Sequence, residues 1–191
     1  MDTITSLNRL TEVLKQSNAE DYVKIAKNMS IPVSNFKEYA YWKEDGYARN
    51  CIIRTVDFEL ILICWKEGDS TPIHGHNNQK CWVYLVDGKM TEIRYQKDDQ
   101  GNLTECNKMQ ISAGNLTYMH DSMGYHLLKN APEKKAMTLH LYMKPVESCE
   151  VFNSDKNCFE TKELCFDTVD GENGLPTKNW TNLNRSLSHR F

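Results

Sequence analysis

The sequence predicts an antiparallel β-sandwich or β-barrel that carries a small helical cap at its N-terminal end. Short segments of strand character recur across residues 47–168 and are separated by turn-forming stretches such as GDSTP, KDDQGN, SAGN and NAPEKK. Many short strands at close, regular spacing are typical of sandwiches and barrels. One of these segments, DFELILICW, is apolar on both faces, so we expect it to be a central strand.

The helical cap is predicted over residues 1–46. Apolar residues follow helical spacing over residues 4–16 and again over 18–28, and a third short helix is expected over 33–42. The β-barrel is predicted over residues 47–168, and a polar, irregular C-terminal tail over 169–191. We treat the whole chain, 1–191, as a single domain because its length suits one hydrophobic core.

The predicted strands share β-branched and aromatic residues bounded by turns; they are CIIRTV, DFELILICW, CWVYLV, KMTEIRY, LTECNKMQI, NLTYM, GYHLLKN, AMTLHLYM and ETKELCF. Between the third and the fourth of these lies Asp87-Gly88. This dipeptide is a strong signal for a two-residue turn, so we expect a hairpin there.

Composition and charge exclude several classes of partner. A net charge of -3 gives no electrostatic reason to expect nucleic acid or an anionic membrane. No apolar run is long enough to span a bilayer, and MDTITSLNRL lacks the parts of a signal sequence, so we expect a cytoplasmic protein. The seven cysteines include no CxxC, which indicates neither a disulfide framework nor a thiolate zinc site. Nothing marks a subunit interface, and we expect a monomer.

Two histidines one residue apart, His74 and His76, lead into the strand CWVYLV. In an extended segment residues i and i+2 point to the same side, so the two imidazoles can act together as metal ligands. Spacing alone is equally compatible with two surface histidines. The candidates for a third ligand are His120, His126 and His140, and spacing does not choose between them.

Two motifs resemble those of the cupin superfamily. Gly68, His74, His76, Cys81 and Gly88 are similar to the first motif, with Cys81 where the usual motif has a glutamate. The second motif runs from residue 114 to residue 130, where His126 and Asn130 close it; its usual proline is absent and its glycine stands one residue closer to the histidine.

A cysteine in place of the glutamate, with three histidines left as ligands, resembles the thiol dioxygenases, and among them the animal-type cysteine dioxygenases. The segments YARN (47–50), CWKEGDSTPIHGH (64–76) and TLHLY (138–142) are similar to that family as well, and the similarity extends from about residue 39 to beyond 149. The resemblance implies a cupin barrel that oxidises L-cysteine with O2 to cysteine sulfinic acid.

The resemblance also implies a set of site residues. His74, His76 and His126 would bind one Fe(II) per chain, with the thiolate and amine of the substrate on the iron and O2 as co-substrate. Arg49 would bind the substrate carboxylate, a task that suits its planar, always charged fork. Tyr47, two residues away, is expected in the same pocket.

Thr138, His140 and Tyr142 stand at i, i+2 and i+4, so they share one face of a strand. By resemblance they form a relay in which His140 orients the catalytic Tyr142, with Thr138 where the family usually has serine. The resemblance further implies a thioether between Cys81 and Tyr142, and it places Cys149 near the pocket entrance.

Several alternatives stay open at this point. The substrate could be another small thiol, such as 3-mercaptopropionate or cysteamine, although Arg49 disfavours cysteamine because that thiol has no carboxylate. Three imidazoles with an open position also suit a zinc hydratase. A cupin binding module with a vestigial site is a further reading. His120 and Trp65 are expected to be pocket-side or packing residues. Five cysteines are expected to be structural: Cys51, Cys64, Cys106, Cys158 and Cys165.

Overall fold

A computed structural model of the chain describes residues 2–173. The N-terminal part contains helix α1 (Leu7–Gln16), helix α2 (Tyr22–Lys27) and a 3-10 helix (Val33–Tyr39). The side chain of Ser6 accepts a hydrogen bond from the backbone N–H of Arg9 and so caps the start of α1. The buried side chains of α1 are leucines at helical spacing, and they pack onto the β-sheet. The predicted helical cap is confirmed.

Twelve strands follow within the described residues. They are β1 (Ala48–Arg54), β2 (Glu59–Trp65), β3 (Cys81–Asp87), β4 (Lys89–Lys97), β5 (Leu103–Ser112), β6 (Leu116–Met119), β7 (Tyr125–Asn130), β8 (Ala136–Tyr142), β9 (Ser148–Asn153), β10 (Cys158–Glu163), β11 (Thr168–Val169) and β12 (Glu172–Asn173). A second 3-10 helix, Asp121–Met123, precedes β7. Strands therefore dominate the fold, as the sequence predicts.

The strands form two facing layers. The larger sheet has the order β12-β11-β1-β2-β8-β3-β6, and the other layer contains β5-β4-β7 and the pair β10-β9. All pairs are antiparallel except β1 with β11. Isolated bridges join His74 to His126 of β7 and to Val151 of β9, so this residue links the two parts of the smaller layer. The prediction of an antiparallel β-barrel or β-sandwich is confirmed.

Strand β2 shows how the sequence specifies two cores. Every residue of β2 is buried. Leu60 and Leu62 belong to the core beneath the helical cap, whereas Ile61, Ile63 and Trp65 belong to the core between the two layers. Each such side chain contributes about 1.5–3 kcal/mol on burial. The strand lies between β1 and β8, so its predicted central position is confirmed.

The predicted hairpin at Asp87-Gly88 is wrong. Strand β3 pairs with β6 and β8, whereas β4 pairs with β5 and β7, so the chain passes here from one layer to the other. Gly88 has φ +96°, and a Cβ at this position would lie 2.6 Å from the Cβ of Ala136. The glycine is required because the corner approaches β8 closely in a left-handed conformation. A turn signal specifies the bend, but the partners of the two strands depend on distant contacts.

Two short pairings include segments that are not predicted as strands from the sequence. Strand β9, in SCEVFN, was not predicted, because polar residues interrupt its apolar positions and Cys149 is its one fully buried residue. Part of the predicted irregular tail, residues 169–173, contributes to the small hairpin of β11 and β12. The rest of that tail, 174–191, lies outside the described residues, so the single-domain assignment stays a prediction. Over residues 2–173, no helix has the length and apolar character that crossing a membrane requires.

Candidate active site

Three histidines converge at one end of the barrel interior. The backbone groups of His74 and His126 exchange two hydrogen bonds, at 2.9 and 3.0 Å, which places the loop before β3 directly beside β7. The ring centroids of His74, His76 and His126 are 4.7 to 5.2 Å apart. Their candidate ligand nitrogens all lie within 4.8 Å of one another. Of the three candidates for a third ligand, His126 is the one that joins the pair.

The turn after the second histidine is held by a carboxylate. Asp121 accepts hydrogen bonds of 2.6 Å from the backbone N–H groups of His76 and Asn78. Asn77 and Asn78 both have positive φ, at 51° and 60°, a conformation that asparagine tolerates better than most residues. The turn therefore fixes the backbone of His76 before the chain enters β3. Sequence reasoning did not identify Asp121, which stands far away in the chain.

The electrostatics of the cluster favour neutral imidazoles. Burial, and then the neighbouring His126, lower the pKa of His74 to about 3. Burial and the other histidines also lower the pKa of His76 well below its ordinary value. Among the described residues, the buried Nδ1 of His76 and Nε2 of His126 have no hydrogen-bond partner. Buried polar atoms are normally satisfied, so unused lone pairs on clustered imidazoles fit a transition-metal ion.

A buried acid lies behind the cluster, on β4. Glu92 accepts hydrogen bonds from Nδ1 of His126 at 2.8 Å and from the Thr117 hydroxyl at 2.7 Å, and Arg94 lies 3.2 Å away. Burial raises the pKa of Glu92, but hydrogen bonds and charge from His126, together with Thr117 and Arg94, lower it to about 2. Glu92 is not among the site residues predicted from the sequence; its one sequence signal is a glutamate among the inward-facing residues of KMTEIRY.

Arg49 presents a fixed cation to the same cavity. Two hydrogen bonds to Asp167 hold its backbone. The N–H of Arg49 donates to the Asp167 carboxylate, and the carbonyl oxygen of Arg49 accepts from the Asp167 N–H, both at 2.8 Å. Its guanidinium carbon lies 5.8 Å from the centroid of the Phe166 ring. The buried Nε and Nη2 of Arg49 have no hydrogen-bond partner among the described residues. Two aligned N–H groups without an acceptor fit a carboxylate that arrives with a ligand.

Burial opposes the charge of Arg49, but Tyr142, Glu59 and Tyr47 more than offset it, so the pKa of Arg49 lies above its ordinary value. Tyr47 lines the cavity, and its ring packs on that of Trp65 with centroids 4.8 Å apart. Trp65 is fully buried and belongs to the inner core, in agreement with its predicted packing role.

The three residues on the inner face of β8 line up as their spacing predicts. The hydroxyl of Thr138 lies 2.8 Å from Nε2 of His140, and the rings of His140 and Tyr142 are nearly parallel at 6.2 Å. Burial, and then Arg49, lower the pKa of His140 well below its ordinary value. Burial, and then Cys81, raise the pKa of Tyr142 well above its own. At neutral pH the site therefore holds an uncharged imidazole and a protonated phenol.

Cys81 faces Tyr142 directly across the β3–β8 pair. Its sulfur lies 3.9 Å from Nδ1 of His140, and burial raises the pKa of its thiol. Residues in direct cross-strand register are near enough for their side chains to touch. His120, by contrast, bonds to Ser122 in the 3-10 turn, with Nδ1 2.9 Å from the hydroxyl oxygen, and it stays apart from the three-histidine cluster.

The empty space of the cavity, together with the open solvent at its mouth, amounts to about 580 Å³. Besides His74 and His76, its lining includes four other predicted site residues: Tyr47, Arg49, His140 and Tyr142. Cys149, which was predicted to lie near the pocket entrance, also lines it. Val151, Lys162 and Leu164 also line it and were not predicted as site residues. The five cysteines expected to be structural lie outside this lining. Cys51 and Cys64 are buried, and Cys106, Cys158 and Cys165 are exposed free thiols.

Comparison with known proteins gives a consistent result. The family model described as cysteine dioxygenase type I matches residues 2–155. Cysteine dioxygenase type 1 of Danio rerio is 27% identical over 164 residues, which cover 82% of this chain and 74% of that protein. The Homo sapiens protein of the same description is 25% identical over 158 residues, which cover 79% of each chain. A solved Klebsiella pneumoniae protein with a double-stranded β-helix domain is 16% identical, with a TM-score of 0.43 and coverage of 66% and 93%.

Proposed function

We propose, from the premise that this chain belongs to the cysteine dioxygenase type I family, that it oxidises L-cysteine to cysteine sulfinic acid. As a member of that family the protein is a thiol dioxygenase, an oxidoreductase, with a metal site. Both atoms of one O2 would be added to the substrate sulfur, so that RSH and O2 give RSO2H with no further reductant. The observation that carries the proposal is the convergence of three imidazoles beside the unused N–H groups of Arg49.

His74, His76 and His126 would hold one Fe(II) ion per chain. The unused nitrogens of the cluster support a metal ion, and imidazole is a ligand that suits iron. Three neutral ligands leave the ion its full double charge, which favours a substrate that binds as a thiolate. When bound, the iron would supply the redox chemistry that O2 requires.

Arg49 would bind the substrate carboxylate through its two unused N–H groups. This contact selects L-cysteine or 3-mercaptopropionate over cysteamine, which has no carboxylate. Lys162 adds a second cation at the mouth of the cavity and supports the same preference for an anionic thiol. Arg49 and the three histidines would therefore hold the two ends of the substrate within one cavity. Binding would then orient the substrate in advance and reduce the entropy cost of the reaction step.

Tyr142 would act as a hydrogen-bond donor to the bound substrate, because burial keeps its phenol protonated at neutral pH. His140 would position this phenol from the neighbouring place on β8. We further propose a thioether between Sγ of Cys81 and a ring carbon of Tyr142. Its formation would break the S–H bond and one ring C–H bond, and the two hydrogens with their two electrons would pass to O2, which becomes H2O2. The direct register of the two residues supports this link.

Anaerobic reconstitution with Fe(II), followed by oxygen uptake and product mass with ¹⁸O2, tests the proposal. L-cysteine, 3-mercaptopropionate and cysteamine are offered in parallel. Cysteine sulfinate that carries two labelled oxygen atoms is the expected product. Uptake only with another thiol would overturn the substrate assignment, and activity restored by zinc instead of iron would overturn the chemistry. The monomeric state and the cytoplasmic location stay predictions from the sequence.

A further inference from the structure

A buried hydrogen-bonded chain extends the β8 triad toward β2. The indole Nε1 of Trp65 donates to the Thr138 hydroxyl oxygen at 2.8 Å, and that oxygen lies 2.8 Å from Nε2 of His140. Trp65, Thr138 and His140 are 0%, 1% and 4% exposed, so water does not compete for these groups. In such surroundings each donor and acceptor must find its partner within the protein.

The chemistry of the donors fixes the direction of this chain. An indole N–H can only donate, so the Thr138 oxygen is the acceptor of its bond with Trp65. A hydroxyl has one hydrogen, and within residues 2–173 its one other hydrogen-bond partner is His140. The Thr138 hydrogen is therefore used only if it points at Nε2 of His140. That nitrogen must then be the acceptor, and the hydrogen of the neutral imidazole must be on Nδ1.

The other side of the His140 ring agrees with this assignment. Nδ1 faces the sulfur of Cys81 at 3.9 Å, and sulfur is a weak hydrogen-bond acceptor. With hydrogen on Nδ1, every polar hydrogen in the chain from Trp65 to Cys81 has an acceptor. With hydrogen on Nε2, the Thr138 hydrogen would be left without an acceptor among the described residues, which is unfavourable for a buried group.

We propose that Trp65 is a positioning residue whose indole N–H orients the Thr138 hydroxyl and thereby holds His140 as the Nδ1–H tautomer. The His140 N–H is then turned toward the sulfur of Cys81, and on this side His140 offers a donor rather than a base. Threonine suits this role because its branched side chain has few χ1 rotamers, so the methyl group and Trp65 together fix the hydroxyl. The tautomer does not depend on the proposed function; only its consequence for turnover does.

The test compares Trp65→Phe, which removes the N–H and keeps a large ring against Tyr47, with Trp82→Phe as the matched control. The buried Nε1 of Trp82 has no hydrogen-bond partner among the described residues, so the same exchange there removes no donor. The probe is ¹⁵N-histidine-labelled protein loaded with diamagnetic Zn²⁺. Two-bond ¹⁵N–¹H spectra distinguish the two tautomers, and the loss of one pattern in His140→Gln assigns His140.

Wild-type protein and Trp82→Phe should show His140 with hydrogen on Nδ1, whereas Trp65→Phe should show a mixture of tautomers. Thr138→Val should give the same mixture, which keeps the test valid if Trp65→Phe does not fold. An Nε2–H pattern in the wild type, or an unchanged pattern in both variants, would overturn the proposal. In the iron-loaded enzyme, the kcat of Trp65→Phe should be about fivefold lower than that of the wild type, as expected for one lost hydrogen bond, and its KM should be unchanged. If L-cysteine proves not to be the substrate, the spectra still report the tautomer.

Discussion

Glu92 Oε1 lies 2.8 Å from Nδ1 of His126, and this contact determines which nitrogen of His126 is free for a metal ion. A carboxylate accepts, so Nδ1 carries the hydrogen and the lone pair is on Nε2, the buried atom with no partner among the described residues. The pKa of Glu92, lowered to about 2, keeps the carboxylate ionised across the physiological range. A ligating histidine that donates its second N–H to a carboxylate is held in orientation and made more basic.

We therefore expect Glu92→Gln to weaken metal binding by roughly 10–100-fold, the usual cost of losing such a partner. Competition with a chelator, using Fe(II) and Zn²⁺ separately, measures the loss without any assay of turnover. Glu105→Gln is the matched control, since Glu105 is exposed on the adjacent strand β5. Equal affinities for wild type and Glu92→Gln would show that Glu92 has only a packing role.

Arg49→Lys should raise KM for L-cysteine by roughly 10–100-fold, because the charge is kept but the two parallel hydrogen bonds to a carboxylate are lost. Iron content should not change, since Arg49 is not part of the three-histidine cluster. Initial rates of oxygen uptake over a range of L-cysteine concentrations give KM and kcat separately.

Arg9→Lys, on the exposed face of α1, serves as the control for the same exchange. A second comparison uses cysteamine, whose rate with Arg49→Lys should be close to that of the wild type because no carboxylate contact exists to lose. If the variant loses iron rather than affinity for L-cysteine, Arg49 supports the metal site instead of the substrate.

How far the sequence predicts this site depends on whether its residues act through local spacing or through distant contacts. The pair His74 and His76 and the triad of β8 follow from alternation along a strand, which is a local property. Glu92 and Asp121 act through contacts with residues more than 30 positions away, and no periodicity marks them. The resemblance to a family provided the third ligand, which spacing left open among three histidines.

The fold shows the same division. The central position of β2 follows from its own apolar faces, whereas the partners of β3 and β4 depend on the sheets as a whole. Asp87-Gly88 specifies a bend, yet the close approach of Gly88 to Ala136 makes this bend a corner between layers rather than a hairpin.

Glu59 gives stability a distinct pH dependence. The side chain is fully buried on β2, with one carboxylate oxygen 2.9 Å from Nη1 of Arg54. Burial raises the pKa of Glu59 from 4.5 to about 7, although Arg54 and Arg49 act in the opposite direction. Between these two values the folded protein holds a proton that the unfolded chain has released. The free energy of unfolding must therefore decrease as the pH rises through this window.

Glu59→Gln removes the titrating group. The free energy of unfolding of this variant minus that of the wild type should therefore increase by roughly 3 kcal/mol as the pH rises from 4.5 to 8. Urea unfolding of both proteins, in the same metal-loaded state at several pH values, measures the difference. Glu67→Gln, an exposed residue just beyond the same strand, should follow the wild-type curve. Parallel curves for Glu59→Gln and wild type would mean that Glu59 is ionised in the folded protein throughout.

Cys81 and Tyr142 should yield a cross-linked fraction of the protein once it has turned over with Fe(II), L-cysteine and O2. The two residues are opposite each other in the β3–β8 register, and both are buried beside the three-histidine cluster. Intact mass should show two populations, one lighter by two hydrogens, and peptide mapping should join the segments that contain Cys81 and Tyr142. Cys81→Ala should lack the lighter population. Cys64→Ala, which removes a buried thiol facing the helical cap, should retain it. A single unmodified mass after many turnovers would exclude the link. Loss of the lighter population in Cys64→Ala would show that the cross-link involves Cys64 instead of Cys81.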